Sequence, residues 1–293
     1  MANVYLSDED DLIDIRHDNV FKAVFTKDNP ASKGALSRLV SALIGRVVQV
    51  DSIKANEPPI DNLRDRQIRF DISCIAKSGE LINVEMSLNP DPFEPVRLEY
   101  YEGKLLIGQD IRGMNYNYND LKQAYQIAIL ANERFFPDKE FFHIFEYYDP
   151  LNAISLNGKS RIITIELSKL DTVVEKPIEL MTAKEYWAVY FQYLTDKSKR
   201  RKINDIMERE EGIAMASEVL FEISKDDIER ARLLSELKYE LDMQSKRVTA
   251  EREGHRKGLE QVAKNALEKG LSVDLIRDIT GLDIETIERL RAK

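Results

Sequence analysis

Two acidic residues, Asp71 and Glu85, lie in short segments in which apolar and polar side chains alternate. This alternation predicts half-buried β-strands over residues 68–76 and 80–88. The link between them ends at Gly79, and glycine suits the left-handed position of a three-residue hairpin loop. Such a loop pairs Asp71 with Glu85 and puts both apolar sets of side chains on one face. The sequence therefore predicts two opposed carboxylates on the polar face, with Cβ atoms about 5 Å apart.

Two like charges that face each other across a sheet destabilise it, so a compensating feature is expected. A divalent cation would be one, because hard cations take oxygen ligands from paired carboxylates. A basic neighbour such as Arg69 would be another and would make a plain salt-bridge network. A raised pKa on one of the two acids would be a third. The residues alone leave these three explanations open.

Helices and a further strand are predicted on both sides of this hairpin. A first helix begins near Asp18, which has the residue type of an N-cap. A second helix covers about residues 32–44, and a strand follows over residues 47–55. After the hairpin, a segment rich in proline leads into a helix over residues 96–111.

The rest of the sequence predicts three strands and then helices. The strands cover residues 125–130, 141–147 and 161–167, and the first of them lies in a stretch that a helix would also fit. From residue 177 onward the pattern is helical, and it closes with two short helices within residues 270–293.

A basic run within the helical part contains Lys199, Arg200 and Arg201. Such a run is a candidate contact for DNA phosphates, and it is equally typical of a solvated junction between helices. The charge-rich segment that follows, residues 203–263, contains no proline. It suits long helices that pack on a partner or on the rest of the chain.

The overall composition is that of a globular protein of the cell interior. The chain has 293 residues, of which 43% are hydrophobic and 32% charged, and its net charge is −9. This charge argues against a generally basic nucleic-acid-binding surface, although a local groove with bound cations is compatible with it. The single cysteine, Cys74, allows no disulfide within the chain, and no long apolar run predicts a membrane span. The acidic start has no signal-peptide pattern, so a cytoplasmic location is expected.

Four segments of the chain follow one another in a recognisable order and spacing. They are HDNVFKAVF at residues 17–25, RFDI at 69–72, VEM at 84–86 and RLEYY at 97–101. In this order the chain resembles the recombination-promoting nuclease/transposase family of bacteria, within the PD-(D/E)xK nuclease superfamily. The resemblance covers about residues 14–200.

This resemblance implies an α/β fold with a PD-(D/E)xK restriction-endonuclease-like core, a mixed sheet flanked by helices, and an α-helical C-terminal extension. It favours a strand over a helix at residues 125–130. The implied organisation is an N-terminal tail of residues 1–11, a nuclease-like domain of residues 12–200 and a helical extension of residues 201–293. The C-terminal helices would be the contact surface of a homo-oligomer.

The resemblance also implies a reaction, the metal-dependent hydrolysis of DNA phosphodiesters, and a link to DNA recombination or transposition. Asp71 and Glu85 would hold one or two Mg²⁺ ions, with Mn²⁺ as a substitute. The backbone carbonyl of Met86 would complete the ligand shell, and Asp18 would assist from the first helix.

One position departs from the family's pattern. Two residues after the second acid the family usually has Gln, and the wider superfamily has Lys, whereas this chain has Ser87. A serine hydroxyl is too short to replace a lysine ammonium, so a second metal ion, a water molecule or a basic group from another element is expected to fill the gap. Lys104 is the first candidate and Arg97 is the second, and either could also contact the scissile phosphate.

Ser87 and the acidic net charge favour a rival interpretation. In it the chain is catalytically silent, keeps the nuclease fold, and binds DNA or assembles with a protein partner. The Asp71–Glu85 pair favours the enzyme, because opposed acids destabilise a sheet and need a reason to be kept. The sequence therefore predicts a DNA endonuclease, with the binding module as the alternative.

Overall fold

A mixed β-sheet forms the centre of the fold. The computed structural model describes residues 5–54, 71–90, 92–109, 117–132 and 134–291. The strands in this part of the chain are β1 (Val50–Ile53), β2 (Ile72–Ala76), β3 (Leu81–Ser87), β4 (Ala124–Leu130), β5 (Phe142–Phe145), β6 (Tyr148–Asp149), β7 (Ile154–Ser155) and β8 (Ser160–Glu166). Among the described residues, six strands pair in the order β1, β2, β3, β4, β8, β5, while β6 and β7 form a separate ribbon.

Helices flank this sheet and make up the C-terminal part of the chain. They are α1 (Asp18–Thr26), α2 (Pro30–Ile44), α3 (Glu94–Ile107), α4 (Ala183–Tyr193), α5 (Arg200–Arg209), α6 (Glu211–Lys225), α7 (Asp227–Glu268), α8 (Val273–Thr280) and α9 (Ile284–Arg291). None of the helices in the described ranges is long and apolar enough to cross a membrane. The predicted α/β fold with C-terminal helices is therefore confirmed.

The hairpin predicted around Asp71 and Glu85 is confirmed as far as the structure describes it. β2 and β3 are antiparallel, and Ile72 pairs with Val84. The same register, continued by one residue, places Asp71 opposite Glu85. Residues 68–70 of the predicted first strand lie outside the described residues.

The loop between these strands has the predicted conformation. Gly79 has a φ of +94°, the left-handed region that glycine adopts without strain. The Ala76 N–H donates to the Glu80 carbonyl at 2.9 Å and closes the loop. This turn fixes which residues of β2 and β3 face each other, and so it fixes the spacing of the two acids.

β4 is buried along its whole length because helices cover both faces of the sheet. β3 and β4 are parallel, and α3 is the connection that crosses between them. Below α3 the small side chains of Ala124 and Ala128 leave room for Leu98 and Leu105 of the helix. A strand buried on both faces has a continuous apolar sequence, which explains why a helix would also have fitted this stretch.

The opposite face of the sheet packs against α1, α2, α4, α5 and α6 in one hydrophobic core. Four aromatic side chains join α1 to α4, with ring centroids between 4.9 and 6.3 Å apart; they are Phe21, Phe25, Trp187 and Phe191. These contacts hold α1 firmly on the sheet. The charge-rich sequence after residue 203 thus begins with helices that pack on the core.

The chain divides into two compact units, residues 1–233 and 234–293. In the first unit, Leu6 is buried, and its backbone exchanges two 3.0 Å hydrogen bonds with the side-chain amide of Asn204. The domain boundaries predicted after residues 11 and 200 stay predictions.

In the second unit, the two predicted short helices are α8 and α9. Each of them has a side-chain hydrogen bond at its start: the Leu275 N–H donates to Ser272 Oγ, and the Thr286 N–H donates to Asp283 Oδ1.

Several elements differ from their predicted bounds. β1 is shorter than the predicted strand, at Val50–Ile53. α3 begins at Glu94, two residues before the predicted start, because Pro95 fits the first turn of a helix, where its missing N–H costs no hydrogen bond. This earlier start brings the Glu94 carboxylate into the same turn as Arg97.

The hairpin loop yields a test of the register. We expect Gly79→Ala to lower the free energy of unfolding by about 1–2 kcal/mol, because an L side chain is strained at positive φ. The matched control is Gly103→Ala on α3, where an added Cβ meets no described atom within 4 Å and the effect should be neutral or slightly stabilising. Urea unfolding followed by the fluorescence of Trp187, the single tryptophan and a buried one, measures both variants. Equal effects of the two substitutions would contradict the loop geometry.

Candidate active site

Asp71 and Glu85 meet at the end of the hairpin that the loop aligns. Asp71 directly precedes β2, and its Oδ2 accepts a hydrogen bond from the Met86 N–H at 3.1 Å. Glu85 lies in the middle of β3 and is only 2% exposed. Because side chains alternate along a strand, Glu85 points away from the core face that holds Val84 and toward the side covered by α3. The predicted pair therefore exists, with its glutamate buried.

The Glu85 carboxylate is held by an amide and a guanidinium. Asn83 Nδ2 donates to Glu85 Oε1 at 3.0 Å and also to Gln126 Oε1 at 2.9 Å. Arg97 Nη2 lies 3.4 Å from Glu85 Oε2 in an ion pair. That Oε2 atom is buried and has no hydrogen-bond partner among the described residues.

Arg97 is fixed in place by its own helix. Its Nη2 lies 2.5 Å from Oε1 of Glu94, three residues earlier on α3, and its guanidinium stacks 5.5 Å from the ring centroid of Tyr101. The Arg97 side chain is still 39% exposed, whereas the side chains of Glu94 and Glu85 are nearly fully buried. One side of the guanidinium therefore faces the two acids while another side remains open to solvent.

A lysine on α1 links Asp71 to a third acid. Lys22 Nζ lies 2.8 Å from Oδ2 of Asp18 and 3.2 Å from Oδ1 of Asp71. The N-cap of α1 is His17, without a side-chain capping bond, so Asp18 is the first helical residue and not the cap. The other oxygen of Asp18, Oδ1, is buried without a hydrogen-bond partner among the described residues.

The protonation of these groups follows from their burial and mutual charges. Burial raises the pKa of Glu85 to about 8, and the charge of Asp71 adds to the rise, against the lowering effect of Arg97. Burial and the charge of Asp18 likewise raise the pKa of Asp71. For Lys22, burial disfavours the ammonium, but the charges of Asp71 and Asp18 outweigh it, and the pKa is raised. The site thus favours additional positive charge.

Two of the compensating features expected for opposed acids are present, the raised pKa and the salt bridges. The pKa values of both acids are raised, and the salt-bridge partners are Lys22 and Arg97. Arg69, the basic neighbour considered from the sequence, lies outside the described residues.

The oxygen donors of the site fit a hard divalent cation. Glu85 Oε2 and Asp18 Oδ1 are buried oxygens without hydrogen-bond partners in the described part of the chain. Among the described residues, no group of three or more His, Cys, Asp or Glu side chains is arranged to hold a metal ion. An ion held by Asp71 and Glu85 therefore needs further oxygen ligands, for which the Met86 carbonyl and water are suitable.

The other predicted site residues lie apart from this cluster or at its edge. Ser87 is half-buried at the end of β3, next to Met86. Lys104 Nζ lies 5.7 Å from the ring centroid of Tyr100, on α3. Of the two candidates to replace the missing basic group, Arg97 is the one paired with a site acid.

The basic run has mixed environments. Lys199 Nζ pairs with Glu175 at 2.7 Å, and Arg201 is exposed. Arg200 is 5% exposed, and its guanidinium donates to the backbone carbonyls of Leu194 and Asp10. A DNA contact of these residues stays a prediction.

Lys22 is the functional candidate that the sequence analysis did not single out. A signal was present, because Lys22 follows Asp18 by four residues and the two share one face of the predicted helix. The contact with Asp71 has no sequence signal, since it depends on where α1 packs on the sheet.

The raised pKa of Glu85 predicts a pH-dependent stability. In the metal-free protein the folded state holds a proton on Glu85 up to about pH 8, whereas the unfolded chain releases it near the ordinary value of 4.5. Stability should therefore fall as the pH rises between these values, by about 1.4 kcal/mol for each pKa unit of the shift. Glu85→Gln should remove the part of the decline that Glu85 contributes, keep the part due to the raised pKa of Asp71, and be the more stable protein at pH 8.

Thermal melts at closely spaced pH values measure this effect. The control is Glu80→Gln, in the hairpin loop. Burial there works to raise the pKa of Glu80, but Ser78 and Arg46 outweigh it, so the pKa is lowered and the sign of the effect is reversed. A wild-type stability that did not decline above pH 5 would contradict a protonated Glu85.

Comparison with known proteins shows the family of this chain. A search of curated proteins and a search of solved structures each found no significant match. A family model described as PD-(D/E)XK nuclease family transposase matches residues 15–250, which include the hairpin, α1, α3 and all the acids of the site. The chain therefore belongs to the PD-(D/E)XK nuclease family transposases.

Proposed function

We propose that this protein is a metal-dependent DNA endonuclease that hydrolyses phosphodiester bonds. The observation that carries the proposal is the Asp71–Glu85 pair, in which Glu85 is buried and Asp71 half-buried, and which two cationic side chains flank and two hydrogen bonds orient. Burying two like charges side by side costs free energy, and interactions with neighbouring groups rarely outweigh that cost. Such an arrangement is typical of a site selected for chemistry.

In the proposed reaction, water forms a new bond to phosphorus, the bond to the leaving oxygen breaks, and that oxygen gains the proton that the water loses. Asp71 and Glu85 would hold Mg²⁺, or Mn²⁺ as a substitute, together with the Met86 carbonyl. When bound, the ion supplies Lewis-acid chemistry, which lowers the pKa of a bound water and offsets charge on the phosphate. Asp18, which forms an ion pair with Lys22, is the accessory acid.

Arg97 is the proposed contact for the scissile phosphate. Glu94 and Tyr101 fix its guanidinium beside Glu85, and the exposed part of the side chain is available to a phosphate oxygen. A guanidinium binds phosphate through two parallel hydrogen bonds, so it can orient the phosphate as well as neutralise it. Outside this site, Lys199 and Arg201 remain candidate contacts to the DNA backbone, and recombination or transposition is the proposed biological process.

A binding or assembly module of the same fold is the second candidate, and Ser87 favours it. In that case the site would retain its acids without turnover, and the C-terminal helices would join copies of the chain or hold a partner. A cytoplasmic location fits either function, because the single cysteine, Cys74, is buried on β2 and suits a reducing compartment.

Cleavage of supercoiled plasmid DNA tests the reaction. We expect nicking with Mg²⁺ or Mn²⁺ and a loss of about a hundredfold or more in rate for Asp71→Asn and for Glu85→Gln, since each removes a charge that stabilises the reacting centre. Asp149→Asn, a substitution of an exposed acid in the β6–β7 ribbon, is the matched control and should cleave like wild type. If wild type and Ser87→Gln both leave the plasmid intact with either metal, the binding module replaces the nuclease.

Metal binding can be measured without turnover. Calorimetric titration with Mn²⁺ should show binding to wild type that is at least about tenfold weaker in Asp71→Asn and in Glu85→Gln, because each variant loses an anionic ligand. The Asp149→Asn control should bind normally. Equal affinities in all four proteins would mean that these acids do not hold the metal.

A further inference from the structure

We propose that Lys22, on α1, supplies from a helix the positive charge that Ser87 cannot supply from the strand. This inference rests on the proposed nuclease function. In it, the ion pairs with Asp71 and Asp18 fix the position of Lys22, and Lys22 keeps an ammonium beside the reacting phosphate.

The position of the ammonium is the first support. Lys22 Nζ lies between two carboxylates, 2.8 Å from Asp18 and 3.2 Å from Asp71, and the lysine side chain is 23% exposed. An ammonium has three N–H donors, and these two ion pairs use two of them. A third donor is left for a phosphate oxygen or for a water molecule.

The link to the strand is the second support. Asp71 contacts Lys22 through Oδ1, while its Oδ2 accepts the N–H of Met86. Met86 directly precedes Ser87, so one carboxylate joins the ammonium of α1 to the segment of β3 that the superfamily's lysine would occupy. The lysine side chain from α1 thus places a positive charge near this segment, whereas the hydroxyl of Ser87 is short and uncharged.

The other candidate cations have different partners. Lys104 Nζ is placed over the ring of Tyr100. Arg97 is paired with Glu94 and with Glu85, so it compensates the second acid and not the first. Each acid of the pair therefore has its own cation, and Lys22 is the one that belongs to Asp71.

Four proteins test the proposal: wild type, Lys22→Met, Ser87→Lys and the double variant that carries both changes. Plasmid nicking with Mn²⁺ is measured under single-turnover conditions, and Mn²⁺ affinity is measured by calorimetry on the same samples. We expect Lys22→Met to slow nicking by about a hundredfold or more, the typical loss when one stabilising donor is removed from a reacting centre. Its Mn²⁺ affinity should be unchanged or higher, because a competing positive charge has been removed from the ligands.

The double variant is the decisive one. If Lys22 supplies the charge that position 87 lacks, Ser87→Lys should restore nicking in the Lys22→Met background by about tenfold or more, since it returns an ammonium to the same carboxylate. Lys27→Met, a substitution of an exposed lysine just after α1 that pairs with Glu222, is the matched control and should nick like wild type. Melting curves followed by Trp187 fluorescence establish that each variant is folded, and Lys22→Gln replaces Lys22→Met if the latter is not.

Several outcomes would overturn the proposal. The proposal fails if Lys22→Met nicks DNA normally, or if it loses nicking and Mn²⁺ binding in parallel. It also fails if the double variant is no faster than Lys22→Met alone. In these cases wild type still nicks DNA and Asp71→Asn does not, so the nuclease function stands. If no protein of the set nicks DNA, the nuclease function itself fails, and the role of Lys22 fails with it.

Discussion

The burial of Glu85 beside Asp71 is the constraint on which the rest of the site depends. A carboxylate that is 2% exposed cannot be stabilised by bulk water, and a second acid next to it increases the cost of ionisation. The surrounding groups offset this cost from several directions, through the amide of Asn83, the guanidinium of Arg97 and the ammonium of Lys22. Because the two cations are fixed by other acids as well, their charges only partly compensate the charge of the pair.

The two cations reach the acids from helices on opposite faces of the sheet. α1 packs in the core that contains Val84, and α3 covers the other face above Ala128. Lys22 is tied to Asp18 by helical spacing, and Arg97 is tied to Glu94 in the same way. Each helix thus carries a cation together with an acid that holds it, so the site would be assembled whenever both helices dock on the hairpin.

The hairpin could be predicted from the sequence because its causes are local. Alternation, loop length and the need for a positive φ at Gly79 all agree on one register, and that register alone aligns the acids. The cations could not be assigned in this way. From the sequence, Lys104 is a better candidate than Lys22 only because α3 follows β3 directly. Arg200 belongs to a basic run, and its burial depends on hydrogen bonds to carbonyls that lie 6 and 190 residues away in the chain.

The packing of α1 explains how the site can hold a positive charge although position 87 on β3 carries none. A lysine at position 87 would be placed by the register of β3, whereas Lys22 is placed by the packing of α1. That packing depends on contacts of Phe21 and Phe25 with Trp187 and Phe191, aromatic side chains of the core. Truncating one of these rings would shift α1, and with it the ammonium, without touching a polar atom of the site. The position of the positive charge beside Asp71 is therefore set by apolar side chains of the hydrophobic core, which carry no charge themselves.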